Sequence, residues 1–144
     1  MPNSASLVFN GTTAYASAAD HADLDITGSW TLELWVKNEA ANWNSGGTWI
    51  AGKGHTDTSS ANFVFWYEFN DLYAGFQDSG FSNWRVQYGV SGVSLNAWHH
   101  WAAVFDTTAN TITLYLDGSQ AAQATSMTGT PAANSDAFVL AKHP

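Results

Sequence analysis

The chain has no cysteine among its 144 residues, which excludes a disulfide framework, a thiol nucleophile and any thiolate metal site. The compartment stays open, because a domain that builds its own core can do without bridges. Bases are scarce: Lys and Arg number 4 against 12 Asp and Glu, giving a formal net charge of -8. Nucleic-acid binders gain affinity by neutralising phosphates with Lys and Arg. Here Lys37, Lys53, Arg85 and Lys142 stand singly, which argues against a nucleic-acid partner. No run approaches the ~20 apolar residues of a membrane span, so no membrane insertion is expected. Met1-Pro2-Asn3-Ser4-Ala5-Ser6 has neither the basic start nor the apolar stretch of a signal peptide. The location expected is extracellular or virion, either with a leader already removed or by another route, for example inside a virus particle.

Aromatic side chains are plentiful, at 15% of the chain with 8 Trp, and such residues bury enough apolar area to offset the entropy of ordering. The length suits a single domain over residues 1–144. Period-two alternation dominates, which predicts an all-β chain. In Thr31 to Val36, Leu32, Leu34 and Val36 share one face while Glu33 and Trp35 share the other. Phe63, Phe65, Tyr67 and Phe69 oppose Val64, Trp66 and Glu68 in the same manner. Large apolar groups on both faces suit central strands of a two-layer sandwich. Further strands are expected at 6–9, 15–18, 48–51, 72–77, 84–88, 99–105, 111–117, 120–125 and 137–141. Asn10-Gly11, Asp78-Ser79-Gly80 and Asp117-Gly118 read as turns, the last as a two-residue hairpin. The polar stretches 40–47 and 52–62 read as loops.

Trp30, Trp35, Trp66, Trp84, Trp98 and Trp101 lie in or beside strands and are expected to pack the core. Trp43 differs, because it sits in a polar loop between Asn42 and Asn44, and Trp49 borders that loop. An exposed indole flanked by amides can stack on the apolar face of a sugar while the amides bond its hydroxyls. The competing reading has Trp43 capping the end of the sandwich. A second cluster, Asp78, Ser82, Asn83, Trp84 and Arg85, contains the chain's one Arg, which can hold a carboxylate through two parallel bonds or form an ordinary surface pair. Glu33 and Glu68 share strand faces with Trp35 and Trp66 and are candidates for a groove or for structural bonds. His99 and His100 point to opposite faces of a strand and cannot chelate one ion. Asp20, Asp23 and Asp25, with His21, form the oxygen-rich cluster best suited to calcium, although Asp is also common turn chemistry. Glycoside hydrolysis needs two positioned carboxylates, and the glutamates are only Glu33, Glu39 and Glu68, without the paired spacing. No enzyme activity is expected.

Several strings, in order, resemble the laminin-G-like jelly rolls of the concanavalin A-like lectin and glucanase superfamily. Leu7-Val8-Phe9-Asn10-Gly11 resembles the first strand and turn, Leu24 to Lys37 the most recognisable strand, and Ile50-Ala51-Gly52-Lys53-Gly54 the short strand after it. The most specific part is Trp98-His99-His100-Trp101-Ala102-Ala103-Val104-Phe105-Asp106 followed by Ile112-Thr113-Leu114-Tyr115-Leu116-Asp117-Gly118. The resemblance implies an antiparallel jelly-roll β-sandwich, here lacking the family's closing C-terminal strand, since the chain stops at Lys142-His143-Pro144. A family calcium site would draw on acids where this chain has Asn10 and Ala14, so no cofactor is expected from the resemblance. The function implied is a non-catalytic binding or adhesion module for glycans or another cell-surface ligand. Its expected site residues are Asn42, Trp43, Asn44, Trp49, Asp78, Asn83 and Arg85. The alternative is a virion decoration or fibre protein acting through protein contacts, with self-association or strand completion by a neighbouring chain at an open sheet edge.

Overall fold

The computed structural model describes residues 5–39, 47–55 and 59–142. Among these, the alternating segments form β1 (Ala16–Ala18), β2 (Trp30–Lys37), β3 (Thr48–His55), β4 (Ser59–Glu68), β5 (Asp71–Gln77), β6 (Asn83–Gly89), β7 (Trp98–Asp106), β8 (Thr111–Leu116), β9 (Ser119–Thr125) and β10 (Phe138–Leu140). A 3-10 turn occupies Ala22–Leu24. The strands build two antiparallel sheets, one of six in the order β1-β10-β3-β4-β5-β6 and one of four in the order β2-β7-β8-β9. This is the jelly-roll sandwich that the alternation and the resemblance predict.

The core lies between the sheets. Leu32, Leu34 and Val36 of β2 line it beside Trp101 and Phe105 of β7, facing Phe63, Phe65 and Phe76 of the other sheet. Each large side chain buried there contributes about 1.5–3 kcal/mol. Phe105 sits at the centre, its ring centroid 4.7 Å from that of Phe76 and 6.1 Å from that of Trp30.

Three expectations are corrected. Residues 6–9 form no strand: they have no partner strand among the described residues, and Leu7 and Val8 are 69% and 79% exposed. Structure resumes at the Asn10-Gly11 turn, where Asn10 Oδ1 accepts from the N–H groups of Thr12, Thr13 and Ala14 at 2.8–3.1 Å. The stretch 52–62, expected as a loop, is largely strand, with Gly52 opposite Val64 and Lys53 opposite Phe63. Its polarity has a structural use: the Asn62 side chain accepts from Ile26 N–H and donates to the carbonyls of Ile26 and Ala132, tying two connecting segments to β4. Phe69 does not extend β4. Phe69 and Asn70 form the two-residue turn between β4 and β5 with φ of 51° and 67°, leaving the Phe69 ring 72% exposed. The expected Asp117-Gly118 turn between β8 and β9 has the same form, with φ of 51° and 79°.

Candidate functional site

With Leu32, Leu34 and Val36 directed inward, β2 must present Glu33, Trp35 and Lys37 on the outer face of the four-stranded sheet. On β7, Trp98, His100 and Ala102 share that face, because Trp101 and Phe105 fill the core. The register sets Trp35 opposite His100, Lys37 opposite Trp98 and Glu33 opposite Ala102, with Tyr115 of β8 beyond Ala102. Trp35 is 63% exposed and Trp98 47%, which corrects the expectation that both belong to the core. They are diagonal neighbours, about 7–8 Å apart at the backbone. The Trp35 ring leans on His100 with centroids 5.2 Å apart, and Lys37 Nζ lies 6.0 Å from the centre of the Trp98 ring. Glu33 Oε2 is 3.5 Å from His100 Nε2, while Lys37 also pairs with Glu39.

The patch thus offers two indole surfaces, edged by a carboxylate, an imidazole and an ammonium, above the small side chain of Ala102. It can stack on a planar or ring-shaped ligand and bond its hydroxyl or charged groups. Its footing is fixed from the β8–β9 turn: Asp117 Oδ1 accepts from His100 N–H at 2.9 Å, and Oδ2 bonds His99 Nδ1 at 2.8 Å. The His99 bond, followed by that from the backbone of His100, holds the Asp117 carboxyl below the usual carboxylate range. A signal for the patch was present in the sequence, since a face shared by Glu33 and Trp35 is wet unless something covers it.

The residues singled out in the sequence fall elsewhere. Asn42, Trp43 and Asn44 lie outside the described residues. Trp49 is only 4% exposed, packed with Ala61, Val64 and Val139, so its ring offers no open face for a sugar. Asp78 builds the turn between β5 and β6. Its Oδ1 accepts from Gly80 N–H and Ser82 N–H, and its Oδ2 accepts from Trp84 Nε1–H, each at 2.9 Å. The Trp84 bond leads these effects in lowering the Asp78 pKa. Asn83 accepts from Gln77 Nε2 at 3.1 Å, and Gln77 Oε1 in turn accepts from Ala61 N–H. Arg85 lies on the outer face of the six-stranded sheet with its guanidinium 5.0 Å from the centre of the Tyr73 ring.

The acids expected to suit calcium surround a different cation. Lys53 is 0% exposed, and its Nζ lies 2.9 Å from Asp20 Oδ1 and 2.8 Å from Asp25 Oδ1. It also donates to the Asn134 carbonyl at 2.6 Å and to Asn134 Oδ1 at 3.1 Å. An ammonium already occupies the point where Asp20 and Asp25 converge. Asp23 faces solvent and pairs with His21 at 3.3 Å. Among the described residues no group of three or more His, Cys, Asp or Glu side chains is arranged to hold a metal ion.

Solved structures share this architecture. The binding domain of Paraclostridial Mosquitocidal Protein 1 superposes with a TM-score of 0.71 at 10% identity, over 92% of this chain and 34% of that one. The botulinum neurotoxin serotype D binding domain gives 0.66 at 11% identity, over 88% and 31%. The binding domain of botulinum neurotoxin DC in complex with SialylT gives 0.61 at 13% identity, over 80% and 28%. The chain therefore spans about a third of the length of these structures, and at such identities the likeness is one of fold. No curated protein matches it in sequence. A laminin G family model, described as the concanavalin A-like lectin/glucanases superfamily, matches residues 10–144. On that match, which covers nearly the whole sandwich, the chain belongs to the laminin-G-like branch of the concanavalin A-like lectin and glucanase superfamily.

Proposed function

We propose that this chain is a non-catalytic binding or adhesion module that recognises cell-surface glycans on the outer face of its four-stranded sheet. The observation that carries the reading is the pair of exposed indoles, Trp35 and Trp98, on neighbouring strands. Soluble proteins expose few large aromatic surfaces side by side without a use for them, and an indole matches the apolar face of a pyranose. Glu33, His100 and Lys37 stand at the rim where hydroxyl groups would fall. Glu33 faces an imidazole, where hydrolysis would call for a second carboxylate. The structural neighbours include toxin binding domains, one in complex with SialylT, which supports a glycan as the ligand class and an extracellular site of action.

A glycan array followed by calorimetry on the best ligand tests this. Trp35→Ala should cost about 2 kcal/mol, on the order of thirtyfold in Kd, with Trp98→Ala similar. An array without hits, or a ligand whose affinity ignores both substitutions, would sink the proposal.

One observation favours a second reading, a virion structural protein acting through protein contacts. Among the described residues β2 pairs only with β7, and a largely apolar, half-open pocket of about 220 Å³ lies among Leu24, Ile26, Trp30, Thr31, Leu32, Phe63 and Phe138. An open strand edge beside unfilled apolar space invites strand pairing by a neighbour. Sedimentation showing a monomer at all accessible concentrations, with no affinity for a protein shell, would exclude it.

A further inference from the structure

We propose that Arg85 forms a second binding site, on the opposite outer face, for a sugar residue that carries a carboxylate. Among the described residues the side chain is held in place without an ion pair. Trp66 and Tyr73, directly opposite each other on β4 and β5, stack with centroids 4.8 Å apart and planes 13° from parallel. The guanidinium sits over Tyr73 from the β6 side, 5.0 Å from its centre. Opposite Arg85 stands Gly75, so no side chain competes for the space its stem crosses.

Among the described residues the guanidinium has this ring contact but neither hydrogen bond nor ion pair, and Arg85 is exposed. The nearby acids, Asp71 and Glu68, stand opposite each other at the β4–β5 turn, and among the described residues neither forms an ion pair with Arg85. A planar fork of donors fixed on a ring and left unpaired matches a carboxylate through two parallel bonds, with little ordering entropy left to lose.

A sugar is favoured by what lies beside the fork. Gln87 is exposed two residues along β6 on the same face, about 6.6 Å away by strand geometry. That separation is comparable to the span of one pyranose ring, so a ring whose carboxylate meets Arg85 brings its far hydroxyls to the Gln87 amide. β6 is an edge strand of its sheet, so the ligand can approach from the side as well as from above.

The test uses the full chain, 15N-labelled, titrated separately with D-glucuronate, D-glucose and N-acetyl-aspartate amide. Glucuronate should shift the amides of Gly75, Arg85 and Gln87, while glucose at the same concentration leaves them in place. Arg85→Ala should weaken glucuronate at least about tenfold, and Arg85→Lys, which keeps the charge and loses the fork, by several fold. Well-dispersed spectra establish that each variant is folded. The glucuronate-induced shifts of the Gly75, Arg85 and Gln87 amides should be the same in Trp35→Ala, while any loss at the Trp35 patch shows in the amides of β2 and β7, so failure of this site and failure of the Trp35 patch are separate results. Equal responses to glucose and glucuronate, or indifference to Arg85→Ala, overturn the site. Binding of the aspartyl amide as tightly as glucuronate overturns the assignment to sugars.

Discussion

Replacing Lys53 by Met keeps the length of the side chain and removes its ammonium. The native ammonium is 0% exposed and meets Asp20, Asp25 and two oxygens of Asn134. Removing one partner of a buried ion pair costs about 3–5 kcal/mol, because the other charge is left without compensation. Asp20 and Asp25 retain 38% and 24% exposure, so water relieves part of that cost and the lower end, about 3 kcal/mol, applies. For 144 residues an unfolding entropy of about 2.1 cal/mol/K per residue gives about 0.3 kcal/mol/K, hence a fall in Tm of about 10 °C. Adding Asp25→Asn should recover part of the loss.

The pH dependence has a definite sign on each side. The Lys53 hydrogen bond, with the N–H of Asn134, holds Asp25 below the usual carboxylate range. Its contribution is present above the ordinary carboxylate pKa and is lost as pH falls through the lowered value. Burial opposes the charge on Lys53, but the bonds to Asp25 and Asp20 outweigh it and raise its pKa. That contribution is full below the ordinary lysine pKa and is lost as pH rises through the raised value. Thermal melts of wild type and Lys53→Met should therefore differ most between these limits and converge on both flanks. A fall in Tm of less than about 3 °C at neutral pH, the scale of an exposed pair, would refute the reasoning.

Two further substitutions probe the hairpins. Phe69 adopts φ 51° with its ring 72% exposed, so Phe69→Asn should relieve left-handed strain and stabilise by about 1 kcal/mol in urea denaturation; an unchanged or lower midpoint counts against this. Gly75→Ala would drive a Cβ into the carbonyl oxygen of Trp84 and to 2.8 Å from Arg85 Cα. A loss of at least about 2 kcal/mol is expected, and a wild-type urea midpoint would show that β5 and β6 are not so closely bound.

Alternation and turn chemistry made most of the sandwich legible. The Asp117-Gly118 turn is an example, because its two left-handed residues suit the twist of a hairpin. Legibility failed where side chains served long-range partners. Lys53 and Asn62 look like loop residues, yet they are buried to bond Asp25, Asn134, Ile26 and Ala132, residues far away in the chain. Phe69 failed in the other sense: an apolar residue continuing an apolar face stands at a turn because the partner strand begins at Asp71. For the candidate site, periodicity correctly grouped Trp35 with Glu33, but only the arrangement of layers tells which face is left open. Trp35 and Trp98 are exposed because nothing among the described residues packs over the four-stranded sheet there.

The Trp35 patch and Arg85 stand on the outer faces of different sheets, whose backbones lie about 10 Å apart, and they look in opposite directions. A flat ligand-bearing surface can meet only one of them at a time. Two sites disposed in this way gain nothing from shared attachment to one surface, since the geometry forbids simultaneous engagement. Occupied together, they would make the domain a bridge between two separate bodies rather than a stronger anchor to one.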